Sequence, residues 1–426
     1  MKIFKFGGAS TANATEIKNI SNIIKQYSDT PLVVVVSAMN KTTNALEDLL
    51  NANRSDLDFM PFYNKIRDFH IEVLNELFED KSHPVYSEVE SLFFTLMNTF
   101  KLSNEDYDYQ YDQMVSIGEL LSSKIVYNYL NYIGVNSKWL DVRKCISTDS
   151  NFREGNVNWI KTEKKVNELV EEFCEENTTS SIVLITQGFM GSDDKNRTVT
   201  LGREGSDFTG AIFAHCLEAE SLTIWKDVPG FLNADPRYFL ETHKINAMSY
   251  KEAIELAYYG ANVIHPKTIK PLQNKKIPLF VKSFKDIGTE GTVINEVGAK
   301  NDKITYYICK PNQMLITISP KDFSFIAEQN LSYIFFVFAD NNMKINLMQN
   351  SALSFTVCVD KNSQRIDDVL EALSNKFELK YNDNLQLVTL RNFSDEVLRK
   401  ILSNNVKILL EQKNRTTAQF VMQGFL

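Results

Sequence analysis

The chain begins with the sequence MKIFKFGGAS, residues Met1–Ser10. Its apolar residues predict a short buried strand that ends at Gly7 and Gly8. Paired glycines at a strand end let backbone N–H groups approach an anion closely, and a helix starting just after them would add its positive end. Lys5 supplies a mobile charge that suits a phosphate group changing position during a reaction. The stretch therefore indicates a phosphate site, although a tight strand-to-helix turn with a solvated lysine is the alternative.

The elements that follow indicate an α/β fold. Thr15 can cap a helix with apolar residues on one face, and the apolar run Leu32–Val36 predicts a strand buried on both faces. A strand, a helix and a second buried strand in this order predict a parallel sheet. Ligand groups in open α/β sheets come from the carboxyl ends of strands. Ser37 and Thr43 are therefore candidate site residues, and Thr42 is interpreted as a helix cap.

A helical block is predicted from about residue 51 to residue 133. Apolar residues recur at helical spacing there, with one stripe formed by Phe62, Ile66, Phe69, Val73 and Leu77. Gly118 and Glu119 interrupt the last helix with a small residue and an acid between apolar neighbours. Glu119 is a candidate for holding an ammonium group, and a solvated helix carboxylate is the alternative.

A dense polar segment, Thr200–Asp207, opens a helix after the predicted strand Ile182–Thr186. Arg203 can pair bidentately with a carboxylate, and Ser206 and Asp207 lie at the predicted helix N-terminus. An aspartate that only caps the helix is the alternative. The chain has neither the GxxxxGKS/T phosphate loop nor the protein-kinase catalytic loop.

The strand Leu222–Trp225 also ends in polar residues. Lys226 and Asp227 follow it directly, and Arg237 lies within the same twelve residues. Three charged side chains after one strand end suggest the rim of a nucleotide site. A solvated turn with local ion pairs is the alternative.

The pattern changes after Glu290–Asp302, which is interpreted as a linker. Two copies of a strand-helix-strand-strand unit are predicted beyond it, and they suggest paired ferredoxin-like modules, with one irregular α+β domain as the alternative. The predicted segments are Met314–Ile318, Leu331–Phe338, Ile345–Leu347, Ala352–Val359 and Ile366–Phe377, then Leu385–Leu390, Val397–Leu402, Lys407–Leu410 and Gln419–Met422. We therefore expect one domain at residues 1–295 and a second at residues 303–426.

Composition argues against several classes of protein. The 426 residues carry a net charge of -8, which disfavours nucleic acid or an anionic membrane as a partner. No apolar run reaches the roughly 18 residues needed to cross a bilayer. The five cysteines and five histidines are dispersed without metal-ligand spacing, so reduced thiols are expected. Because the chain opens with a predicted strand and not with a signal peptide, we expect a cytoplasmic protein.

Taken together, these segments resemble aspartate kinases over nearly the whole chain. The resemblance rests on Lys5–Ser10, Ser37–Met39, Thr43-Asn44, Gly118-Glu119, Thr186–Phe189, Gly202–Asp207, Trp225–Gly230, Asp235–Arg237 and Gly260-Ala261 through His265-Pro266. It implies a three-layer α/β/α amino-acid-kinase fold with a mostly parallel sheet, followed by α+β ferredoxin-like ACT modules. It also implies transfer of the ATP γ-phosphoryl group to the side-chain carboxylate of L-aspartate. The product, 4-phospho-L-aspartate, enters lysine, threonine and methionine biosynthesis.

The same resemblance implies a role for each candidate residue. The expected catalytic residues are Lys5, which neutralises the transferring group, and Asp207, which orients Lys5. The expected ATP-binding residues are Lys5, Gly7, Gly8, Ser10, Lys226, Asp227 and Arg237, with Mg²⁺ held mainly through the ATP phosphates and no metal ligand assigned in the chain. The expected substrate-binding residues are Ser37, Thr43, Glu119, Arg203, Gly205 and Ser206. Within that set, Arg203 would hold the α-carboxylate of aspartate and Glu119 its α-ammonium group.

The sequence departs from the family pattern at several positions. Glu204 replaces a glycine, which is expected to affect loop contacts more than chemistry. Asn262 stands where many relatives carry a lysine near the nucleotide, and Leu232 where some carry a tyrosine. Asp322–Phe325 replaces a glycine-rich entrance to the effector site, and Asn346 replaces an acid that binds effector lysine in some relatives. Nucleotide affinity and feedback inhibition are therefore expected to differ from those of relatives.

Two other functions stay open at this point. An enzyme of the same fold with another acceptor, such as glutamate or a nucleoside monophosphate, is disfavoured because Arg203 and Glu119 favour an α-amino-acid substrate and the ACT modules favour aspartate. A catalytically impaired amino-acid sensor is disfavoured because Lys5, Asp207 and the paired glycines are retained. Lysine or threonine is the expected effector at the ACT modules. Because such modules commonly associate across a two-fold axis, a homodimer is expected.

Overall fold

The computed structural model describes residues 1–100, 105–175, 183–239, 241–261, 264–298, 304–322, 324–361, 365–402 and 406–424. The chain folds into two compact units. The first holds residues 1–231, 245–254 and 263–300, and the second holds residues 232–244, 255–262 and 301–426. Within the described ranges, no helix is long and apolar enough to cross a membrane.

The first unit is built on a mostly parallel sheet. Its strands are β1 (Lys2–Phe6), β2 (Leu32–Val36), β3 (Ser137–Leu140), β4 (Val183–Gln187), β7 (Ser221–Lys226), β8 (Ala247–Ser249), β9 (Leu279–Ser283) and β10 (Thr292–Asn295), and a separate hairpin joins β5 (Met190–Ser192) to β6 (Thr198–Thr200). The order across the sheet is β3-β4-β2-β1-β7-β9-β10-β8, and only the β9–β10 pair is antiparallel among the strands described. The predicted α/β class with a mostly parallel sheet is confirmed.

The register of the sheet brings three strand ends together. Phe6 at the end of β1 lies opposite Val36 of β2 on one side and Trp225 of β7 on the other. All five residues of β2 are buried, as their continuous apolar run predicts. Because these strands are parallel, the residues that follow Phe6, Val36 and Trp225 emerge at one edge of the sheet.

Nine helices of the described chain belong to this unit, the eighth of them only in its first half. They are α1 (Ala14–Gln26), α2 (Thr42–Arg54), α3 (Met60–Leu77), α4 (Val85–Thr99), α5 (Tyr107–Tyr132), α6 (Trp159–Glu175), α7 (Gly205–Cys216), α8 (Tyr250–Tyr259) and α9 (Pro266–Lys275). The predicted caps of the first two were wrong. Asn13 caps α1, because its side chain accepts the backbone N–H of Glu16 at 2.9 Å. Thr42 is the first residue of α2 and lies after the cap position.

The predicted helical block corresponds to α3, α4 and α5. Of the predicted stripe on α3, Ile66, Val73 and Leu77 are buried, whereas Phe62 is 40% exposed. The close approach of α5 to the strand ends depends on Gly118. A Cβ atom there would lie 3.2 Å from the side chains of Ala38, Leu46 and Thr42, so a small residue lets α5 pass against α2 and the end of β2. That contact carries the neighbouring Glu119 to the edge of the sheet.

The second unit is built on one antiparallel sheet. Its elements are β11 (Tyr306–Pro320), α10 (Glu328–Asp340), β12 (Ile345–Asn350), β13 (Phe355–Asp360), α11 (Ile366–Ser374), β14 (Phe377–Arg391), α12 (Asp395–Leu402), β15 (Lys407–Lys413) and β16 (Thr417–Gln423). The strand order is β12-β13-β11-β14-β16-β15. Apolar side chains of α10 and α11 form one core with β11 and β13, and those of α12 form another with β14 and β16.

The two predicted modules share their central strands. The segments Met314–Ile318 and Leu385–Leu390 were predicted as separate short strands, but they belong to β11 and β14, which run for 15 residues each and pair along their length. The register shifts between Lys310 and Gln313, where one half of the sheet passes into the other. The helix predicted at Ile366–Phe377 ends at Ser374, since Phe377 already begins β14.

Polar side chains fill the junction at this register shift. Gln313 is fully buried and donates from Nε2 to Asp360 Oδ1 at 2.6 Å. Asn346 donates from Nδ2 to Gln313 Oε1 at 2.9 Å, and Lys310 donates from Nζ to Asn346 Oδ1 at 2.9 Å. The amide of Asn346, expected at an effector position, is thus hydrogen-bonded within the unit.

The interpretation of Glu290–Asp302 as a linker was wrong in part. Thr292–Asn295 forms β10, which pairs with β9 and β8 inside the first sheet. Buried Thr292 also accepts the backbone N–H of Phe231 at 2.8 Å. The end of the predicted linker, residues 299–302, lies outside the described residues.

Candidate active site

A cavity of about 310 Å³ opens in the first unit where the parallel strands end. Its wall combines groups from the ends of β1, β2 and β7, from α5 and from the start of α7. The lining residues are Lys5, Gly8, Ser37, Ala38, Asn40, Thr43, Glu119, Phe189, Glu204, Gly205, Ser206, Asp207 and Lys226. The structure therefore brings together nine of the residues proposed from the sequence: Lys5, Gly8, Ser37, Thr43, Glu119, Gly205, Ser206, Asp207 and Lys226.

Two lysines face one buried carboxylate in this cavity. Lys5 Nζ lies 2.6 Å from Asp207 Oδ1, and Lys226 Nζ lies 3.8 Å from Asp207 Oδ2. Burial alone would raise the pKa of Asp207, but the two ammonium groups outweigh it and hold the pKa below its usual value. The cluster of Lys5, Asp207 and Lys226 thus holds an ionised aspartate between two ammonium groups, and its net charge is positive.

Glu119 supplies a second carboxylate with a different environment. Its side chain is buried on α5, and Oε1 accepts the Ser206 hydroxyl at 3.5 Å. Its Oε2 atom has no hydrogen-bond partner among the described residues. Burial raises the pKa of Glu119 to about 8, although the nearby Lys5 favours the charged form. A buried carboxyl with an unsatisfied oxygen is suited to a ligand that brings hydrogen-bond donors and positive charge.

The start of α7 is positioned by a close backbone approach. A Cβ atom on Gly188 would lie 2.4 Å from Ser206 Cβ, so only glycine fits at that position after β4. The next residue, Phe189, donates its backbone N–H to Thr209 Oγ1 at 3.1 Å, and that hydroxyl donates to the carbonyl of Gly205 at 3.0 Å. These contacts fix the first turn of α7, with Ser206 and Asp207 towards the cavity.

Gly7 and Gly8 form a tight turn with different steric demands. A Cβ atom on Gly8 would lie 2.7 Å from the carbonyl oxygen of Asn40, whereas one on Gly7 would meet only Lys5 Nζ, at 3.3 Å. The missing side chain at Gly7 therefore leaves the Lys5 ammonium accessible. The expected helix does not start directly after the glycines, because a 3-10 turn, Gly8–Thr11, comes first. Ser10 in that turn is buried and donates its hydroxyl to the Gly7 carbonyl at 2.6 Å.

Several predicted residues do not line the cavity. Arg203 and Asp227 are exposed at the surface of the first unit, and the roles expected for them stay predictions. Arg237 belongs to the second unit and pairs with Asp235 at 2.6 Å. Leu232 forms an isolated β-bridge with Lys244. Asn262 lies outside the described residues.

Ala38 lines the cavity without having been proposed as a site residue, and three further lining residues were missed from the sequence: Asn40, Phe189 and Glu204. All three have positive φ angles, of 48°, 71° and 54°. Asn40 and Phe189 each come shortly after a buried strand, which is the one sequence signal that could have selected them. Glu204 carries no such signal, since a carboxylate in a polar turn is common.

The cavity holds carboxylates but no preformed metal cage. In the described part of the chain, no three His, Cys, Asp or Glu side chains come close enough to hold a metal ion. Mg²⁺ commonly binds proteins through one or two carboxylates together with substrate phosphates and water. The carboxylate of Asp207 in the cavity wall suits that mode of binding.

Comparison with known proteins identifies the relatives of this chain. Residues 1–283 match the amino acid kinase family. Lysine-sensitive aspartokinase 3 of Escherichia coli (strain K12) is 30% identical over 84% of this chain and 78% of the relative. The bifunctional aspartokinase/homoserine dehydrogenase of Buchnera aphidicola is 27% identical over 90% of this chain, which spans 47% of that relative's length. The crystal structure of E. coli aspartokinase III with aspartate and ADP is similar with a TM-score of 0.84 at 26% identity, covering 100% of this chain and 96% of that one.

Proposed function

This chain belongs to the amino acid kinase family and, within it, to the aspartokinases, and we propose that it transfers the γ-phosphoryl group of ATP to the side-chain carboxylate of L-aspartate. The products are ADP and 4-phospho-L-aspartate. One observation carries the proposal: the Lys5–Asp207–Lys226 cluster and the buried Glu119 carboxyl line the same cavity. This reaction needs cations that bind phosphate next to an acid that binds an ammonium group.

The chain supplies mainly position and charge for this transfer. A carboxylate oxygen of aspartate attacks the γ-phosphorus, the new O–P bond forms, and the bond from the γ-phosphorus to the bridging oxygen breaks as ADP leaves with the electron pair. The nucleophile is already ionised at neutral pH, so no strong base is required. Catalysis then depends on placing the reactants in line and on neutralising the charge that develops.

Lys5 and Asp207 are the proposed catalytic residues. The Lys5 ammonium would neutralise the transferring phosphoryl group, and its 2.6 Å contact with Asp207 fixes where that charge lies. Bare glycine at Gly7 leaves room for phosphate oxygens beside Lys5. Lys226, 3.8 Å from the same carboxylate, would carry a second positive charge to the ATP phosphates. Bound Mg²⁺ would supply Lewis-acid neutralisation of the phosphate oxygens.

The aspartate would be held through its α-substituents. Glu119 would accept the α-ammonium group on its unsatisfied oxygen, and Ser206, already in contact with Glu119, would complete that contact. Ser37, Thr43 and Gly205 line the same wall. Arg203 would pair with the α-carboxylate in a bidentate manner. Ser10, Asp227 and Arg237 are proposed nucleotide contacts on the sequence resemblance alone.

The second unit is proposed to be a regulatory domain of paired ACT modules. Its antiparallel sheet with helices α10, α11 and α12 has the expected α+β character. A relative named as lysine-sensitive supports lysine as an effector, and threonine is proposed on the sequence resemblance alone. A homodimer is proposed because ACT modules commonly associate across a two-fold axis.

One assay tests the activity. Release of ADP from Mg-ATP is measured with L-aspartate, L-glutamate or UMP as the acceptor, and any acyl phosphate is trapped as a hydroxamate with hydroxylamine. Hydroxamate from aspartate alone is the expected result, and parallel reactions with lysine or threonine report on regulation. Absence of turnover with aspartate in folded protein would contradict the proposal.

A further inference from the structure

We propose that Glu204 is a positioning residue that fixes the turn Gly202–Gly205, and with it Arg203 and Ser206, against the start of α9. This inference rests on the proposed function, because its consequence is the affinity for aspartate. Glu204 itself lines the cavity and precedes the first residue of α7.

The backbone of Glu204 is the first line of evidence. Its angles, φ 54° and ψ 29°, lie in the left-handed helical region. Glycine adopts this region freely, but it is energetically unfavourable for a residue that has a Cβ atom. The side chain makes no capping hydrogen bond to α7. A glutamate held in an unfavourable backbone conformation, without a cap to offset it, requires another contact that stabilises it.

That contact is made with α9. Glu204 Oε2 accepts the backbone N–H of His265 at 2.8 Å, and His265 is the residue directly before the helix. A carboxylate at this end of α9 also interacts favourably with the helix dipole. Lys267 in the first turn of α9 donates from Nζ to the carbonyl of Leu201 at 3.1 Å. Leu201, directly before the turn, and Glu204 within it therefore both bind to the N-terminus of α9.

The two glycines of the turn make close contacts with other segments of the chain. Gly202 has a φ of +75°, and a Cβ atom there would lie 3.1 Å from the carbonyl oxygen of Arg153. A Cβ atom on Gly205 would lie 2.8 Å from the ring of Phe189. The turn thus lies between these groups and α9, and Glu204 is its side-chain attachment to α9. Losing that attachment would loosen Arg203 and Ser206.

A second glutamate in the same unit provides a matched control. Glu218 follows α7 with a φ of 44°, also in the left-handed region. Its Oε1 atom accepts the Lys275 ammonium at 2.6 Å, at the other end of α9. Glu204 and Glu218 therefore share a backbone conformation and a partner helix, but only Glu204 lines the cavity.

The test compares Glu204→Gly, Glu204→Gln and Glu218→Gly by steady-state kinetics. Glu204→Gly is expected to raise the KM for aspartate about tenfold and to change kcat less than about twofold. It weakens contacts with aspartate but leaves the phosphate-binding residues in place. Glu204→Gln keeps an acceptor oxygen and is expected to retain a KM within about twofold of the original. Glu218→Gly should leave both constants unchanged. A KM unaltered by Glu204→Gly, or an equal rise in Glu218→Gly, would overturn the inference.

Hydrogen-deuterium exchange gives a readout that does not need activity. Exchange in the segments 201–208 and 264–268 should become faster in Glu204→Gly and stay unchanged in Glu218→Gly, because only the first loses the His265 contact. Equal exchange in both variants would contradict the positioning role, whichever acceptor the protein phosphorylates. Failure of the original protein to form aspartyl hydroxamate, together with the expected exchange, would instead reject the proposed substrate alone.

Discussion

Lys5 and Asp207 come from different elements, β1 and α7, and approach to 2.6 Å at the edge of the parallel sheet. Both side chains are almost fully buried, at 10% and 4% exposure. The pair is therefore not an ordinary surface ion pair, whose contribution to stability is small. Because the pair lies in the cavity wall, removing either partner is expected to lower the rate of phosphoryl transfer more than the affinity for substrate.

Replacing Lys5 by alanine should lower kcat by at least about 10³-fold, because the transferring phosphoryl group loses its positive partner. Calorimetry should still detect aspartate binding, since Glu119 and Ser206, the proposed partners of its α-ammonium group, are unchanged. Lys2→Ala is the control on the same strand, where the ammonium lies over the Tyr27 ring at 5.6 Å. A Lys5→Ala enzyme with unchanged kcat would remove Lys5 from the mechanism.

Replacing Arg203 by lysine should raise the KM for aspartate about tenfold, because a bidentate contact with the α-carboxylate becomes a single contact. The value of kcat should change little. Arg67→Lys, in α3, serves as the control because Arg67 pairs with Glu90 at 2.5 Å, away from the cavity lining. An unaltered KM in Arg203→Lys would refute the role of Arg203.

The pKa of Glu119 predicts a pH dependence of substrate affinity. With a pKa of about 8 in the free protein, Glu119 must lose its proton to hold an ammonium group. The KM for aspartate should therefore fall about tenfold for each pH unit between pH 6 and 8 and then level off. Glu119→Gln should show a high KM without that slope. A slope that persists in Glu119→Gln would assign the titration to another group.

The same group affects stability in a defined direction. The folded pKa of Glu119, about 8, is above its ordinary value of 4.5, so the folded chain binds more protons than the unfolded chain between these pH values. Its contribution to stability is fully present below pH 4.5 and is lost as the pH rises through 8. Thermal unfolding at pH 5 and pH 8.5 should show a smaller difference in Tm for Glu119→Gln than for the original protein.

Replacing Gly188 by alanine should damage the site through a steric clash. The new Cβ atom would lie 2.4 Å from Ser206 Cβ, so the start of α7 must move. A loss of about 1–3 kcal/mol in the free energy of unfolding is expected, together with a raised KM for aspartate. Gly288→Ala is the control, since its Cβ atom would meet nothing closer than 3.5 Å. Equal unfolding free energies for the two variants would contradict the close approach.

The parts of the fold that could be predicted are those with a local signal. The apolar run Leu32–Val36 and the glycine pair after β1 predicted the strand ends. Lys5, Gly8, Ser37 and Lys226 line one cavity because the parallel strands end at one edge of the sheet. By contrast, the contact of Glu204 with His265 joins residues that are 61 positions apart. No periodicity or composition signal reports such a contact.

The second unit was harder to predict for a different reason. Lys310–Gln313 is a polar segment with a proline, which in a sequence is typical of a loop, yet it lies inside β11. Hydrogen bonds from Gln313 and Lys310 to other side chains compensate their burial, so strand pairing continues on both sides of the register shift. The prediction of two short strands failed because tertiary partners override the local preference.

The long strands β11 and β14 also limit how this part of the protein can evolve. Each strand contributes its two ends to different halves of one sheet. The half formed by the end of β11, β12, β13 and the start of β14 is one continuous stretch of the gene, whereas the other half is split between the start of β11 and the segment from the end of β14 to β16. A duplication, loss or exchange of one half would cut both strands and strip partners from the half left behind. Each half can therefore change by point substitution, but recombination can replace the two halves only together.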